Sequence, residues 1–432
     1  MLYRKMAKTL EKWHKSSNKK AALLTGARQV GKTTAVREFA RQHYKHFVEV
    51  NFVKRPTARK AFDGDLDTST IVANLSAMGY GPFVENETLV FFDEIQECPN
   101  ARTAIKFLVE EHRYDFIESG SLLGINYKEI PSYPVGFEQE YTMFPLDFEE
   151  FLWAKGITKE ITEGLFDAYS NLRPVSDFIH GQISKYFREY LVVGGMPEVV
   201  QTYIDNDDFG LTTEVQRSIL TTYRADISKY AGKDQTLVKR VFDAIPSELG
   251  KQDKRFVLAD IERGASRRKY EDPTQWLVDA GIAYYSFNTT AFELPFEATE
   301  NRKLYKLYMV DTGLLCRLLL KGLQFDVMNG DISVNEGALT ENFVACALAA
   351  NAHPLHYYDR KSKQELDFII EKGNAITILE VKSGDDFKRH ASLDAAIRLH
   401  SESIGKSIVL CQSNLMEQDG ILYLPLYMAM YL

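Results

Sequence analysis

The sequence has few cysteines, and they are widely spaced. None of them forms the close pair that is typical of a zinc site. This usage is also that of a protein from a reducing compartment, where thiols stay free. We therefore expect buried, unpaired cysteines and no zinc centre. The four positions are Cys98, Cys316, Cys346 and Cys411.

The sequence also lacks a long apolar run near its start. Lysines there alternate with Leu2, Met6, Leu10 and Trp13 at helical spacing. No apolar stretch follows that could serve as a signal peptide or as a membrane span. The expectation is a cytoplasmic protein without membrane contact.

An excess of positive charge is absent as well. The net charge is −8, which excludes a basic coat for nucleic acid, so any such contact needs a local patch. A hydrophobic fraction of 45% and a charged fraction of 26% are typical of a globular protein. At 432 residues, the chain suggests about three domains.

A loop bounded by glycines follows the first apolar run, Ala21–Leu24, and precedes a helix-like segment. Glycine at each end lets successive backbone N–H groups turn toward phosphate, and the helix adds its positive end. Lys32 can reach the β- and γ-phosphates, while the hydroxyl of Thr33 can bind Mg²⁺. The alternative is a surface loop that happens to hold two glycines. The predicted nucleotide-binding residues are Gly26, Ala27, Arg28, Gln29, Val30, Gly31, Lys32, Thr33 and Thr34.

An uncharged run, Thr88–Phe92, ends in two acidic residues and is typical of a buried parallel strand. At the end of such a strand, Asp93 would hold Mg²⁺, usually through water, and Glu94 would polarise the water that attacks the γ-phosphate. An ordinary loop start is the alternative. Together, Asp93 and Glu94 predict hydrolysis as well as binding. The catalytic roles fall to Lys32 and Glu94.

A third strand, Asp115–Glu118, ends in two serines that flank Gly120. Either Ser119 or Ser121 could sense the γ-phosphate from the neighbouring strand. Small polar residues also serve as turn formers at such positions, and the pattern does not separate the two roles.

The region 235–312 predicts three helices followed by two strands that can pair, which together suggest a winged helix. Its third helix would begin with Arg267, Arg268 and Lys269, where a recognition helix meets DNA. Glu271 and Asp272 weaken this patch, and the alternative is a solvated surface on a domain that packs against the ATPase.

Near the end of the chain, acidic residues recur on elements that can converge. Glu341 lies on a helix-like run, Asp367 on a strand, and Glu380 and Lys382 on one face of the next strand. Three carboxylates would form a Mg²⁺ site, with the lysine orienting water against a phosphodiester, as in a metal-dependent nuclease. The alternative is an ion-pair cluster in a nuclease-derived interaction domain.

On these motifs the chain resembles a widespread prokaryotic family of AAA-type ATPases. Its members carry an N-terminal ATPase domain and a C-terminal domain of unknown function related to PD-(D/E)XK nucleases. Two positions depart from the family pattern. Phe137 follows Gly136 where many relatives have arginine, and Leu366 replaces the proline of the nuclease motif. The matching segments are 24–34, 92–96, 145–151, 194–197, 311–315, 337–343, 365–368 and 379–383.

The motifs and the resemblance together imply an α/β protein that starts with a P-loop NTPase parallel sheet of AAA/RecA-like type. The expected domains are an ATPase at 1–152, a helical linker or lid at 153–234, a winged-helix-like domain at 235–312 and a restriction-endonuclease-like α/β domain at 313–432. The expected function is Mg²⁺-dependent ATP hydrolysis coupled to DNA or to a protein partner, in a chain that could form oligomers. The alternatives are a nucleotide-gated interaction module with slow hydrolysis and an inert nuclease-like domain, or an ATP-regulated DNA nuclease.

Overall fold

The computed structural model describes residues 2–120, 134–320, 336–360 and 364–432. Ser121, one of the two predicted phosphate sensors, lies outside these ranges. The chain divides into two compact units. The first comprises Tyr3–Phe144 with Asp279–Gly281, and the second comprises Pro145–Val278 and Ile282–Leu432 together with Leu2. In the described ranges we find no helix with the length and apolarity needed to cross a bilayer.

The first unit alternates strands and helices, as its sequence predicts. Short 3₁₀ turns at Pro56–Phe62 and Ile95–Glu97 complete it. Its elements are α1 (Met6–His14), β1 (Ala21–Thr25), α2 (Lys32–His43), β2 (His46–Asn51), α3 (Thr68–Ala77), β3 (Thr88–Asp93), α4 (Pro99–Glu110), β4 (Asp115–Ser119) and β5 (Glu138–Thr142).

The five strands of this unit form one parallel sheet in the order β2-β3-β4-β1-β5. Strand β3 is buried along its whole length because apolar side chains cover both faces of the sheet. Phe92 belongs to the core under α3 and α4, whereas Phe91 belongs to the core that includes Trp13 and Phe39. The predicted parallel sheet with two covered faces is confirmed, and the carboxyl ends of its strands meet at one edge.

The second unit begins with helices and ends in a sheet. Asp147 starts its first helix with a capping box. Its side chain accepts a hydrogen bond from the backbone N–H of Glu150, and the side chain of Glu150 accepts one from the backbone N–H of Asp147. The helices are α5 (Phe148–Ala154), α6 (Lys159–Ser170), α7 (Asp177–Val193), α8 (Pro197–Asn206), α9 (Phe209–Tyr230), α10 (Gln235–Leu249), α11 (Leu258–Ile261), α12 (Arg267–Asp279), α13 (Thr312–Leu320), α14 (Glu336–Ala350) and α15 (Ala391–His400). The strands are β6 (Ala283–Thr289), β7 (Glu300–Met309), β8 (His356–Asp359), β9 (Glu365–Lys372), β10 (Ala375–Val381), β11 (Ile404–Cys411), β12 (Met416–Gln418) and β13 (Ile421–Pro425).

These strands form one mixed sheet in the order β12-β13-β11-β10-β9-β8-β6-β7. The predicted hairpin of β9 and β10 is confirmed, with Ala375 opposite Lys372. The pair β6 and β7 is also antiparallel, but β6 pairs in parallel with β8 on its other side. The two strands expected to form the wing of a separate domain therefore belong to the same sheet as the C-terminal strands. The expected boundary between 312 and 313 falls inside one compact unit.

Two glycine motifs meet where α7, α8 and α13 pack together. Gly195 lies so close to Leu146 that a Cβ atom at this position would come within 2.0 Å of the carbonyl oxygen of Leu146. The carboxylate of Asp311 accepts from the backbone N–H of Gly195 at 2.6 Å and from that of Leu314 at 2.8 Å. Burial raises the pKa of Asp311 to about 6. These motifs, 194–197 and 311–315, therefore allow the close packing of these helices.

Candidate functional site

The predicted phosphate loop connects β1 to α2 with several residues in left-handed backbone conformations. The φ angles are 135° at Gly26, 65° at Gln29 and 94° at Gly31. A side chain at position 26 would collide with the chain after β5, because its Cβ would lie 2.2 Å from the carbonyl oxygen of Met143. Such a conformation directs successive N–H groups to one side, where an anion can bind. Of the other loop residues, Ala27 and Val30 are buried, Arg28 is half-buried, and Gln29 and Thr34 are exposed.

Lys32 opens α2, and its side chain bends back over the loop. Its Nζ donates to the carbonyl oxygens of Gly26 and Ala27, at 2.9 Å each. Burial lowers the pKa of Lys32 to about 8, although the charges of Glu94 and Asp93 oppose this effect. The lysine therefore contacts the loop and feels the charges of Glu94, the predicted base, and of Asp93, the predicted Mg²⁺ ligand.

Asp93 is buried at the end of β3 and accepts hydrogen bonds from three elements. Thr33 Oγ1 lies 3.3 Å and 3.2 Å from its two carboxylate oxygens. Asn51 Nδ2 donates to it at 2.7 Å, and Ser119 Oγ donates to its other oxygen. The strand register explains the arrangement, because Asn51, Asp93 and Ser119 are aligned across β2, β3 and β4. The structure thus brings the predicted residues Thr33, Asp93 and Ser119 together.

Asn51 was not predicted from the sequence, although a polar residue at the end of a strand beside the phosphate loop is a usable signal. Its Oδ1 accepts from the backbone N–H groups of Val53 at 3.1 Å and Lys54 at 2.7 Å. These bonds fix the amide so that its nitrogen faces Asp93. Asn51 therefore holds the orientation of the Asp93 carboxylate.

Glu94 follows Asp93 with a left-handed backbone, at φ 57° and ψ 50°. It precedes the 3₁₀ turn Ile95–Glu97, and its carboxylate accepts a hydrogen bond from Gln96. Its negative charge opposes the lowering of the Lys32 pKa by burial. The sequence predicts a catalytic role for Glu94, whereas Gln96 enters only as part of the matching segment 92–96 and receives no role.

Arg4, in the segment before α1, forms hydrogen bonds that hold the phosphate loop in place. Its guanidinium donates to the carbonyl oxygen of Val30 at 2.9 Å and to that of Phe144 at 2.7 Å. No local pattern could have indicated this residue, because its partners lie far along the chain. It restrains the loop that carries Lys32.

The predicted C-terminal site is dominated by lysines. Glu341 is 1% exposed on α14 and accepts from Lys254, from Lys306 at 3.2 Å and from Tyr308 at 2.5 Å. Burial alone would raise the pKa of Glu341, but the ammonium groups of Lys254 and Lys306 outweigh it and lower the pKa to about 2. Lys306 is itself fully buried and also pairs with Glu365 at 2.9 Å. Glu341 is therefore an ionised carboxylate whose charge two lysines neutralise.

The other residues of this cluster are engaged as well. Asp367 accepts from the N–H of Val381 at 2.8 Å, and burial together with Glu341 and Glu380 raises its pKa. Glu380 pairs with Lys382 at 2.8 Å. Across the described ranges, no group of three or more His, Cys, Asp and Glu side chains is arranged to hold a metal ion. The predicted residues approach one another, but Glu341 faces lysines rather than an open ligand position.

The predicted basic patch at the start of α12 is partly neutralised. Arg267 lies 3.4 Å from Glu271, and Lys269 lies 2.7 Å from Glu262. Arg268 is exposed. This surface carries less free positive charge than the sequence pattern suggests.

Comparisons with known families divide the chain into three matched segments. Residues 18–152 match the family described as AAA domain. Residues 184–324 and 336–428 match two families that are each described as a domain of unknown function, DUF8612 and DUF4143 respectively. Comparison of the sequence with curated proteins gave no match.

Several solved structures are similar in part. The Walker-type ATPase of Pyrococcus abyssi is 14% identical, with 74% of this chain and 96% of that chain covered and a TM-score of 0.45. The ORC1 protein of Aeropyrum pernix, solved in complex with DNA, is 11% identical, with 74% and 92% covered and a TM-score of 0.29. The RuvB Holliday junction branch migration motor of Thermotoga maritima is 14% identical, with 65% and 89% covered and a TM-score of 0.29.

These TM-scores are too low to indicate a shared function, so the conclusion depends on the site and the family match. The site has a glycine-bounded loop, a lysine over that loop, and Asp93, which accepts a hydrogen bond from Thr33 at the carboxyl edge of a parallel sheet. The same segment matches the AAA domain. Residues 18–152 therefore match the AAA domain and carry the geometry of a phosphate-binding loop.

Proposed function

We propose that this protein is a Mg²⁺-dependent ATPase whose first unit binds and hydrolyses ATP. The observation that carries the proposal is the contact of Thr33 with Asp93, beside a lysine that lies over the phosphate loop. Binding alone would need the loop and Lys32. The carboxylates Asp93 and Glu94 add the groups that hydrolysis requires.

In this proposal Lys32 exchanges its bonds to the carbonyl oxygens of Gly26 and Ala27 for bonds to the phosphates. The loop N–H groups and the start of α2 bind the same phosphates through hydrogen bonds and the helix dipole. Ser119, which donates to Asp93, lies at the end of the adjacent strand and would report the γ-phosphate to it. In this proposal Lys32 and Ser119 both respond to the negative charge of the nucleotide phosphates.

The residues present fit a Mg²⁺ ion, because Thr33 and Asp93 offer a hydroxyl and a carboxylate within 3.3 Å of each other. When bound, Mg²⁺ neutralises charge that develops on the phosphate oxygens. Glu94 accepts a proton from the attacking water. Asn51 keeps Asp93 turned toward Thr33 through its own fixed amide.

The test is ATP turnover by the purified protein with Mg²⁺, compared with the variant Lys32→Ala. Loss of the lysine should reduce turnover by about 1000-fold or more, because charge stabilisation of the transferred phosphoryl group is lost. Lys45→Ala is the matched control, since Lys45 pairs with Glu87 on the surface of the same unit. Full turnover by Lys32→Ala would refute the assignment.

For the second unit we propose a role in coupling ATP hydrolysis to a macromolecular partner, with its carboxylate cluster inert toward phosphodiesters. The pairing of Glu341 with Lys254 and Lys306 supports this choice over a nuclease. Incubation of DNA with the protein and Mg²⁺ or Mn²⁺ should give no cleavage above that of Glu380→Ala. Cleavage by the wild type that disappears in Glu380→Ala would favour the nuclease.

Whether the partner is DNA or protein is decided by turnover with and without DNA, on the wild type and on Lys32→Ala. The exposed Arg268 favours a test with DNA first, although its neighbours are paired with carboxylates. Stimulation by DNA would identify that partner, and its absence would direct the search to proteins. The oligomeric state, measured with and without ATP, tests whether another subunit completes the ATPase site.

A further inference from the structure

Gln96 lies two residues after Glu94, in the 3₁₀ turn that follows β3. The left-handed backbone of Glu94 is uncommon for a residue other than glycine. The turn closes when the N–H of Glu97 donates to the carbonyl oxygen of Glu94 at 3.0 Å. In this arrangement Gln96 Nε2 donates to Glu94 Oε2 at 2.5 Å. The side chain thus contacts the carboxylate that the proposed mechanism uses as base.

Chemistry fixes the orientation of this amide. An ionised carboxylate only accepts hydrogen bonds, so Gln96 must present its nitrogen to Glu94 and its oxygen elsewhere. That oxygen is buried, and no donor in the described part of the chain reaches it. A buried acceptor without a partner costs about 1–3 kcal/mol. The bond to Glu94 is retained in spite of that cost.

The turn itself is fastened by other residues. Ile95 is fully buried in the core of the first unit. Arg59 pairs with Glu97 at 2.8 Å, and Asn100 Nδ2 donates to the carbonyl oxygen of Phe62 at 3.2 Å. The local fold therefore does not depend on the amide of Gln96, which within the described ranges donates to Glu94.

We propose that Gln96 is a positioning residue for ATP hydrolysis, which holds the Glu94 carboxylate by one oxygen and leaves the other free for the attacking water. This proposal rests on the proposed ATPase function. A carboxylate with a free side-chain torsion would spend much of its time away from the water. A displacement of about 1 Å at a reacting group can reduce the rate about 100-fold.

The test compares Gln96→Glu and Gln96→Ala with the wild type in steady-state ATP hydrolysis. Gln96→Glu keeps the shape but removes the donor and adds a like charge, so kcat should fall about 100-fold. Gln96→Ala removes the bond with the rest of the side chain but adds no charge, and kcat should fall about tenfold. The affinity for a non-hydrolysable ATP analogue and the unfolding temperature should stay at wild-type values, since the loop and the core are unchanged. Gln139→Glu, on the exposed part of β5 in the same unit, is the control for added charge.

Three outcomes separate the two proposals. Wild-type turnover together with unchanged kcat in both Gln96 variants overturns the role of Gln96 and leaves the ATPase standing. A parallel loss of analogue affinity or of unfolding temperature would show a merely structural role and would also overturn it. A wild type without turnover overturns the ATPase proposal, and the role of Gln96 falls with it.

Discussion

At the scale of single residues, the protonation of Lys32 should make nucleotide affinity depend on pH. Burial lowers the pKa of its ammonium group to about 8, against the opposing charges of Glu94 and Asp93. Bound phosphate favours the protonated form, so the complex keeps this proton to a higher pH than the free protein does. Affinity should therefore be insensitive to this group well below pH 8 and should fall as the pH rises above 8.

Proton uptake should accompany nucleotide binding as a direct consequence. At pH 8, binding should take up about half a proton per site, because half of the free lysine is deprotonated there. Titration calorimetry in buffers of different ionisation enthalpy measures this number. The same measurement about two pH units lower is the control and should give almost no uptake from this group. Equal uptake at both pH values would contradict the assignment.

The sequence could predict the roles of four residues because phosphate binding fixes their positions along the chain. Lys32 and Thr33 end the phosphate loop, and Asp93 and Glu94 stand at the end of a strand. Sequence reasoning could not reach Arg4, whose partners are backbone carbonyls of Val30 and Phe144, since any residue type supplies a carbonyl. It placed Gln96 in the matching segment 92–96 but gave it no role, because an amide two positions beyond a carboxylate has no functional pattern of its own.

At the scale of elements, the packing of α7, α8 and α13 depends on the absence of side chains. Gly195→Ala should lower the free energy of unfolding by about 1–3 kcal/mol, because its Cβ meets the Leu146 backbone and nothing flexible can move aside. Gly181→Ala, in α7 with open space around it, should instead raise it by about 0.5–1 kcal/mol. Urea unfolding of both variants measures the two changes. Similar effects of the two substitutions would show that the close approach is not limiting.

The sequence also predicted many of the elements but not the partners of each strand. The alternation of apolar runs and helices indicated the parallel sheet, because the crossover of a βαβ unit is almost always right-handed. The hairpin of β6 and β7 was foreseen, whereas its pairing with β8 was not, because the contacts join residues such as Phe287 and His356 across a long separation. Strand order of that kind is set by the packing of the finished unit.

At the scale of the whole molecule, the two candidate sites lie in different compact units. Lys306→Met should leave Glu341 with one lysine fewer in a buried setting and lower the free energy of unfolding by about 3–5 kcal/mol. The affinity for ATP should change by less than about twofold, because Lys306 belongs to a different compact unit and effects at sites without shared partners are usually independent. Urea unfolding and ATP titration of the variant measure both quantities.

The double variant Lys306→Met with Glu341→Gln is the control for the Lys306 prediction. Removing both charges should recover part of the lost stability, because the buried negative charge goes as well. If the double variant were no more stable than Lys306→Met alone, the ion pair would not be the source of the loss.

The pairing of β6 with β8 also determines which truncated fragments of the chain keep an intact sheet. Strand β8, His356–Asp359, lies between β6 and β9, and all four of its residues are buried. A fragment that starts at 313 keeps β8 but loses β6, so the backbone N–H and C=O groups on that side become an exposed sheet edge. Edges of this kind recruit strands from other molecules. Such a fragment should self-associate, whereas a fragment that starts at Pro145 keeps β6 and therefore leaves β8 paired on both sides.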